Sequence, residues 1–242
     1  MDYTRRQLEE GCIEHLKKSL SFAQADVMLV VIEGKTMVFK DFFRTNLLFK
    51  WLFGRVAIAR EAKAYERLKG LRGVPLLIYR PDKYSLVMEY MPGSRLPRRK
   101  QRALVSPQFF GNLECLVKEM HSHGVAHGDL HKRNVFFMDS ETPCILDFAT
   151  SLCVDNKSSW LKRQIFKRMC RIDDLSVLKI KARYCPHSLT EDEKRALDTL
   201  PLYLRIGRFI RKSIYSPLIK PKHWNARFNR IKRFFSGDDA KS

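Results

Sequence analysis

His127-Gly128-Asp129-Leu130-His131-Lys132-Arg133-Asn134, followed further on by Ile145-Leu146-Asp147-Phe148, is the stretch on which the reading of this chain turns. It sets two carboxylates and a carboxamide at intervals suited to phosphoryl transfer from a magnesium-bound nucleotide. Asp129 stands where a base accepts the proton of an attacking hydroxyl. Asn134 and Asp147 stand where oxygen donors hold magnesium against a triphosphate. A polar turn between two strands, the plainer reading, needs none of these residues at fixed offsets.

The flanks give the motif its local structure. Ser106-Pro107 reads as an N-cap followed by proline at the first helical position. Phe109, Phe110, Leu113, Leu116, Val117 and Met120 recur at helical spacing, and His123-Gly124 closes the helix. Val125-Ala126 leads into the motif. Val135-Phe136-Phe137-Met138 is a short apolar run ended by a turn at Asp139-Ser140, and Cys144-Ile145-Leu146 is a second strand that delivers Asp147 at its tip. In this order of helix, loop, strand, turn, strand and acidic residue, the chain resembles the kinase superfamily.

The resemblance extends upstream. Residues 36–40 read as a strand after a turn at Glu33-Gly34-Lys35, and Lys40 resembles the strand lysine that grips the α- and β-phosphates of ATP. Glu61 lies in a predicted helix with Ile58, Ala62, Tyr65 and Leu68 as its apolar stripe, ending near Gly70. The resemblance implies that Glu61 pairs with Lys40 and aims its ammonium at the phosphates. Leu76-Leu77-Ile78-Tyr79 and Ser85-Leu86-Val87-Met88-Glu89-Tyr90 read as an antiparallel pair. Met91-Pro92-Gly93 then breaks the pattern, as a hinge between lobes would. By the same resemblance, backbone groups from Glu89 to Met91 meet the adenine edge.

Four departures narrow the likeness. No Gly-x-Gly-x-x-Gly precedes Lys40, and no glycine occurs between Gly11 and Gly34, so backbone amides cannot approach phosphates as closely there. Gly128 replaces the arginine of kinases controlled by activation-loop phosphorylation. His131 replaces the usual catalytic-loop lysine, which is similar to small-molecule phosphotransferases. Asp147-Phe148-Ala149 keeps the acidic residue but not the usual glycine, and no Ala-Pro-Glu follows. With these departures the chain most resembles atypical bacterial kinases related to lipopolysaccharide-core (Kdo) kinases, with RIO-type kinases as a wider kinship. That likeness implies an α+β, two-lobed protein-kinase-like fold. It has a small antiparallel-sheet N-lobe over residues 1–91 and a mainly helical C-lobe over residues 92–242.

Composition adds a second theme. The 242 residues suffice for one kinase-like unit. Six scattered cysteines form no Cys-x-x-Cys pair and read as free thiols of a reducing compartment. His121, His123, His127 and His131 crowd one stretch, but no thiolate or carboxylate is spaced to make a metal site of them. No apolar run is long enough to span a membrane. The formal net charge is +20, and residues 156–242 hold 22 Lys and Arg against 8 Asp and Glu. Basic and large apolar residues alternate at 160–168, 203–212 and 224–235, a pattern suited to helices lying on anionic membrane. At 160–168 the expectation is instead an apolar face packed inward. The apolar segment 42–53 is expected to pack against the N-lobe. No zinc-finger spacing or RNA-recognition signature accompanies the charge, so nucleic acid ranks below a membrane or glycolipid surface.

The expected function is an ATP- and Mg2+-dependent phosphotransferase acting on a hydroxyl of a lipopolysaccharide-type glycolipid sugar. The expected place is the cytoplasm, with peripheral contact at the inner membrane face through the basic C-terminal helices. Asp129 is the base, Asn134 and Asp147 the metal ligands, and Lys40, Glu61, Glu89 and Met91 the ATP-binding residues. The competing readings are a nucleotide-binding pseudokinase, a soluble small-molecule kinase and an atypical serine/threonine protein kinase.

Overall fold

A computed structural model of the chain describes residues 3–17, 25–42, 54–97, 105–139 and 141–198. It is a mixed α/β domain, rich in sheet toward the N-terminus and helical toward the C-terminus. Helix α1 (Arg5–Glu10) opens with a capping box in which Thr4 and Gln7 satisfy each other's backbone N–H groups. Strands β1 (Cys12–Lys17), β2 (Asp26–Ile32), β3 (Lys35–Asp41), β4 (Leu77–Tyr79) and β5 (Ser85–Glu89) form an antiparallel sheet in the order β1-β2-β3-β5-β4. Strands β2 and β3 are joined by Glu33-Gly34, both with positive φ (52° and 73°), as a two-residue primed hairpin turn requires.

Alternation along β3 decides what each side chain meets. Met37 and Phe39 join Met28, Val30 and Val87 on one face, where Leu8 of α1 covers them. Val38 turns to the other face, into a core with Leu86, Met88, Ile58 and Tyr65. Lys40 shares the parity of Val38, so it points toward helix α2 (Arg55–Arg67), whose buried residues include Ile58, Glu61, Ala62 and Tyr65. The predicted stripe of this helix is thus the one that packs.

Strand β1 forms the edge of the sheet. The charged segment at Arg5–Glu10 is helical, and residues 12–17 pair with β2 beyond it. Ile13 and Leu16 are exposed there, so pairing to the sheet edge, not burial, holds the strand.

The helical part begins with strand β6 (Ser94–Arg95) and helix α3 (Pro107–Ser122). The Ser106 side chain accepts the Phe109 N–H at its start, and the six residues predicted to face inward are all buried. The short strands β7 (Val125–Ala126), β8 (Val135–Phe137), β9 (Pro143–Ile145) and β10 (Leu152–Cys153) follow. β7 pairs with β10, and β8 lies between β6 and β9. Helix α4 (Trp160–Tyr184) packs on α3, and α5 (Glu191–Asp198) closes the described chain. Along α4 every buried residue lies at Asp173 or beyond, whereas Trp160, Leu161 and Ile165 are exposed. Of the apolar residues expected to pack inward at 160–168, Phe166 does so against the His121 ring, whereas the other three face outward. Most of the apolar segment at 42–53, the middle of the glycine-free cover segment and the basic stretches at 203–212 and 224–235 lie outside the described residues. Within the first of these, Phe42 is described and buried.

Candidate active site

Lys40 reaches three carboxylate oxygens. Its Nζ donates to Glu61 Oε1 and Oε2 at 2.9 and 2.7 Å and to Asp147 Oδ1 at 2.8 Å. Glu61 is fully buried and Lys40 nearly so, while the Asp147 side chain is 43% exposed. Burial alone would lower the Lys40 pKa, but the charges of Asp147 and Glu61 more than offset it, so the ammonium is held protonated. Burial pushes the Glu61 carboxyl up, and Lys40 pulls it back. Two short hydrogen bonds from one ammonium favour the ionised pair, so the charged arrangement is the one the geometry supports.

Tyr65 completes this cluster from one turn further along α2. Its hydroxyl donates to Glu61 Oε1 at 3.4 Å and accepts the backbone N–H of Asp147. Burial, then the neighbouring carboxylates, push its phenol well above the ordinary value, so it remains a donor. Its ring meets Phe148 edge-on at 5.2 Å, and Phe148 meets the His127 ring at 4.9 Å. Asp147 itself has φ +69°, a left-handed conformation that costs a non-glycine residue energy and that Asp tolerates better than most.

The loop between β7 and β8 is fixed by its own polar groups. His127 is fully buried, and its Nδ1 accepts the Asp129 N–H at 3.2 Å. Its Nε2 must then be the donor in the 3.1 Å bond to the Leu146 carbonyl. Asn134 Nδ2 donates to the Asp129 carbonyl at 3.0 Å, which leaves the carboxamide oxygen facing away from that bond. The Leu146 N–H donates to the Asn134 carbonyl at 2.9 Å, placing Asn134 beside the residue before Asp147. The Asp129 side chain is 24% exposed, with Oδ2 4.0 Å from His131 Nε2.

Gly128 has a structural reason to be glycine. Its φ is +76°, and an added Cβ would stand 3.2 Å from the Thr150 carbonyl oxygen and against the Met169 terminal methyl. An arginine here would strain the backbone.

Asp173, on α4, plays a part that the sequence reading did not assign. It is fully buried and accepts the His127 N–H at 2.7 Å and the Gly128 N–H at 2.9 Å, with His121 Nε2 at 3.3 Å. One carboxylate thus ties the backbone of the motif loop to the longest described helix. The hint in the sequence was Asp173-Asp174, an acidic pair in an otherwise basic stretch of helix.

The fold therefore joins Lys40, Glu61 and Asp147 directly, and it links Asp129 to Asn134 and Asn134 to the strand before Asp147. Glu89 and Met91 stand apart, at the end of β5. Glu89 pairs with Met37, three residues from Lys40, or about 10 Å along the strand. The Glu89 N–H is already used by the Leu76 carbonyl, and the Met91 carbonyl accepts from Gly93. The donor chemistry suits a hard cation: a carboxylate and a carboxamide oxygen, with no soft ligand. Among the described residues no three His, Cys, Asp or Glu side chains cluster as a metal cage. Mg2+ commonly takes one or two protein oxygens and completes its shell with phosphates and water, so this pair fits that ion.

Comparison with known proteins matches residues 25–181 to the ABC1 atypical kinase-like domain, more than half of the chain and every residue of the cluster. A relative described as a probable serine/threonine-protein kinase HAL5-like, from Kluyveromyces lactis, is 31% identical over 100 residues. That stretch is 38% of this chain and 13% of the relative, so the chain spans a small part of that protein's length. The kinase-like character expected from the motifs is common to both matches, whereas neither names the lipopolysaccharide-core or RIO branch.

Proposed function

This chain belongs to the ABC1 atypical kinase-like family, and on that premise we propose that it is an ATP- and Mg2+-dependent phosphotransferase with a hydroxyl acceptor. The observation that carries the reading is Lys40. One ammonium holds Glu61, 21 residues away, and Asp147, 107 residues away, at hydrogen-bond distance. In this reading Lys40 turns its charge to the ATP phosphates while Glu61 and Tyr65 fix its position. Asn134 and Asp147 would hold Mg2+, which neutralises charge on the phosphates. Asp129, partly exposed and set by His127 and Asn134, accepts the proton of the acceptor hydroxyl. Glu89 to Met91 form the adenine side of the cleft, near the boundary between the lobes at about residue 91.

The acceptor we favour is a sugar hydroxyl of an anionic glycolipid, of the lipopolysaccharide-core kind, met at the inner membrane face. Support comes from the chain's +20 formal charge and from the likeness to lipopolysaccharide-core kinases carried by the missing glycine loop, Gly128, Ala149 and the basic C-terminal residues. A protein hydroxyl is the second reading, favoured by the description of the Kluyveromyces lactis relative. A nucleotide-binding pseudokinase is the third, favoured by the glycine-free segment between Gly11 and Gly34.

The test is transfer of labelled γ-phosphate from ATP, with magnesium, into lipid, protein and small-molecule fractions of the cells that make this protein. Asp129→Ala serves as the blank and is expected to lose about 10²–10⁴ in rate while remaining folded. Label in lipid supports the favoured acceptor, and label in protein selects the second reading. Nucleotide binding without transfer selects the third, and equal turnover by Asp129→Ala rejects the assignment of the base.

A further inference from the structure

The first half of α4 (Trp160–Tyr184) carries a surface that the proposed site does not use. Residues 160–172 contain Lys162, Arg163, Lys167, Arg168 and Arg171 and no Asp or Glu. None of these thirteen residues is buried. Trp160 is 74% exposed, Leu161 61% and Ile165 46%. At 100° per residue, Lys167, Trp160, Arg171, Arg168, Leu161 and Ile165 fall on one side of the helix. Phe166, Met169 and Asp173 fall on the other, where Phe166 meets the His121 ring and Met169 lies against Gly128. The helix is therefore anchored along one flank and presents mixed cationic and apolar side chains along the opposite one.

We propose that this face docks the protein on an anionic lipid surface. Charge selects the occupant. Lys167, Arg168 and Arg171 make no ion pair among the described residues. Residues 199–242 add eleven Lys and Arg against two Asp, and a second copy would bring the same face, so neither can neutralise it. A nucleic acid would neutralise the cations but has no apolar layer to receive Trp160, Leu161 and Ile165. A lipid interface takes both, with cations among the headgroups and the three apolar side chains at the acyl boundary. Asp173 lies eight residues beyond Ile165 on the same helix, about 12 Å of rise, and holds the motif loop. Docking here would set that loop at a fixed height above the surface. The proposal stands apart from the phosphotransfer reading, because docking is measured without nucleotide.

The full chain has three tryptophans, and Trp51→Phe with Trp224→Phe leaves Trp160 as the sole reporter. Vesicles of phosphatidylcholine with phosphatidylglycerol, carrying brominated acyl chains, are expected to bind this protein and quench Trp160. Vesicles of phosphatidylcholine alone are expected to leave it unquenched. Lys167→Glu with Arg168→Glu and Arg171→Glu should weaken binding at least about tenfold, each cation near the surface contributing comparably. Should that variant unfold by circular dichroism, Trp160→Ser with Leu161→Ser replaces it, with sedimentation as the readout and the same loss expected. Failure to bind anionic vesicles overturns the proposal, as does binding with Trp160 unquenched or undiminished in the variants. Selective binding of an RNA oligonucleotide over vesicles also overturns it, in favour of a nucleic-acid face.

Discussion

Lys40 holds two carboxylates at once, and removing it would leave Glu61 buried with no counter-charge. Breaking a buried pair from one side costs about 3–5 kcal/mol, whereas replacing both partners with apolar residues of similar size is often neutral or stabilising. Lys40→Ala is therefore expected to lower the unfolding free energy by about that amount in a urea titration. Lys40→Met combined with Glu61→Leu should return it to within about 1 kcal/mol of the native protein, because Asp147 is exposed enough to be hydrated. The same double variant should lack phosphotransfer. Recovery of stability without recovery of activity would separate the electrostatic role of Lys40 from its part in the fold. If the double variant proves as unstable as Lys40→Ala, packing around the pair, not the stranded charge, is the dominant cost.

Helix α4 and the motif loop are coupled through one side chain. Asp173→Ala leaves the His127 and Gly128 N–H groups without their acceptor, and hydrogen bonds to a charged group contribute about 1.5–3 kcal/mol each. The expected loss is about 3 kcal/mol or more in a denaturant titration, with Asp173→Asn losing roughly half because its amide keeps one oxygen acceptor. A different element contact is expected to weaken in acid. Arg5 of α1 bonds Asp41 of β3 and Asp82 in the β4–β5 turn, the latter at 2.5 Å. Burial would raise the Asp82 carboxyl, but the Arg5 hydrogen bond and the Tyr84 N–H outweigh it and hold the pKa below the ordinary 3.8. A depressed folded pKa means that this stabilisation is complete above the ordinary value and is lost as pH falls through the lower folded one. Asp82→Asn should thus be less stable than the native protein at pH 7, with the gap closing below about pH 4. A gap that stays constant to pH 2 would show that Asp82 does not titrate with folding.

At the scale of the whole molecule, the bond from Lys40 to Asp147 joins the sheet-rich part to the helical part. Around it the rings of Tyr65, Phe148 and His127 meet in series through the interior, edge-on and tilted. Among the described residues, positive charge gathers outside that interior on the first half of α4. It dominates the exposed half of α4, so one helix both supports the proposed chemistry from its inner flank and carries the proposed lipid-facing surface on its outer one.

Much of this arrangement was legible in the chain itself. Helices α2 and α3 declared their buried stripes by spacing, and the motif residues 127–134 with Asp147 implied a kinase-like unit, because fixed chemistry at fixed offsets is a local property of sequence. Strand β1 was not legible: residues 12–17 carry no strong apolar alternation, and pairing with β2 at the sheet edge is what makes them a strand. Nor was the exposure of Trp160, since an amphipathic pattern shows which residues share a face without showing whether anything covers it. The assignment of Asp173 to the His127 and Gly128 amides, and of the Tyr65 hydroxyl to the Asp147 N–H, also came only with tertiary structure. Those bonds join residues 45, 46 and 82 positions apart, and no local rule relates one to the other until packing brings the buried polar groups together and requires each to find a partner.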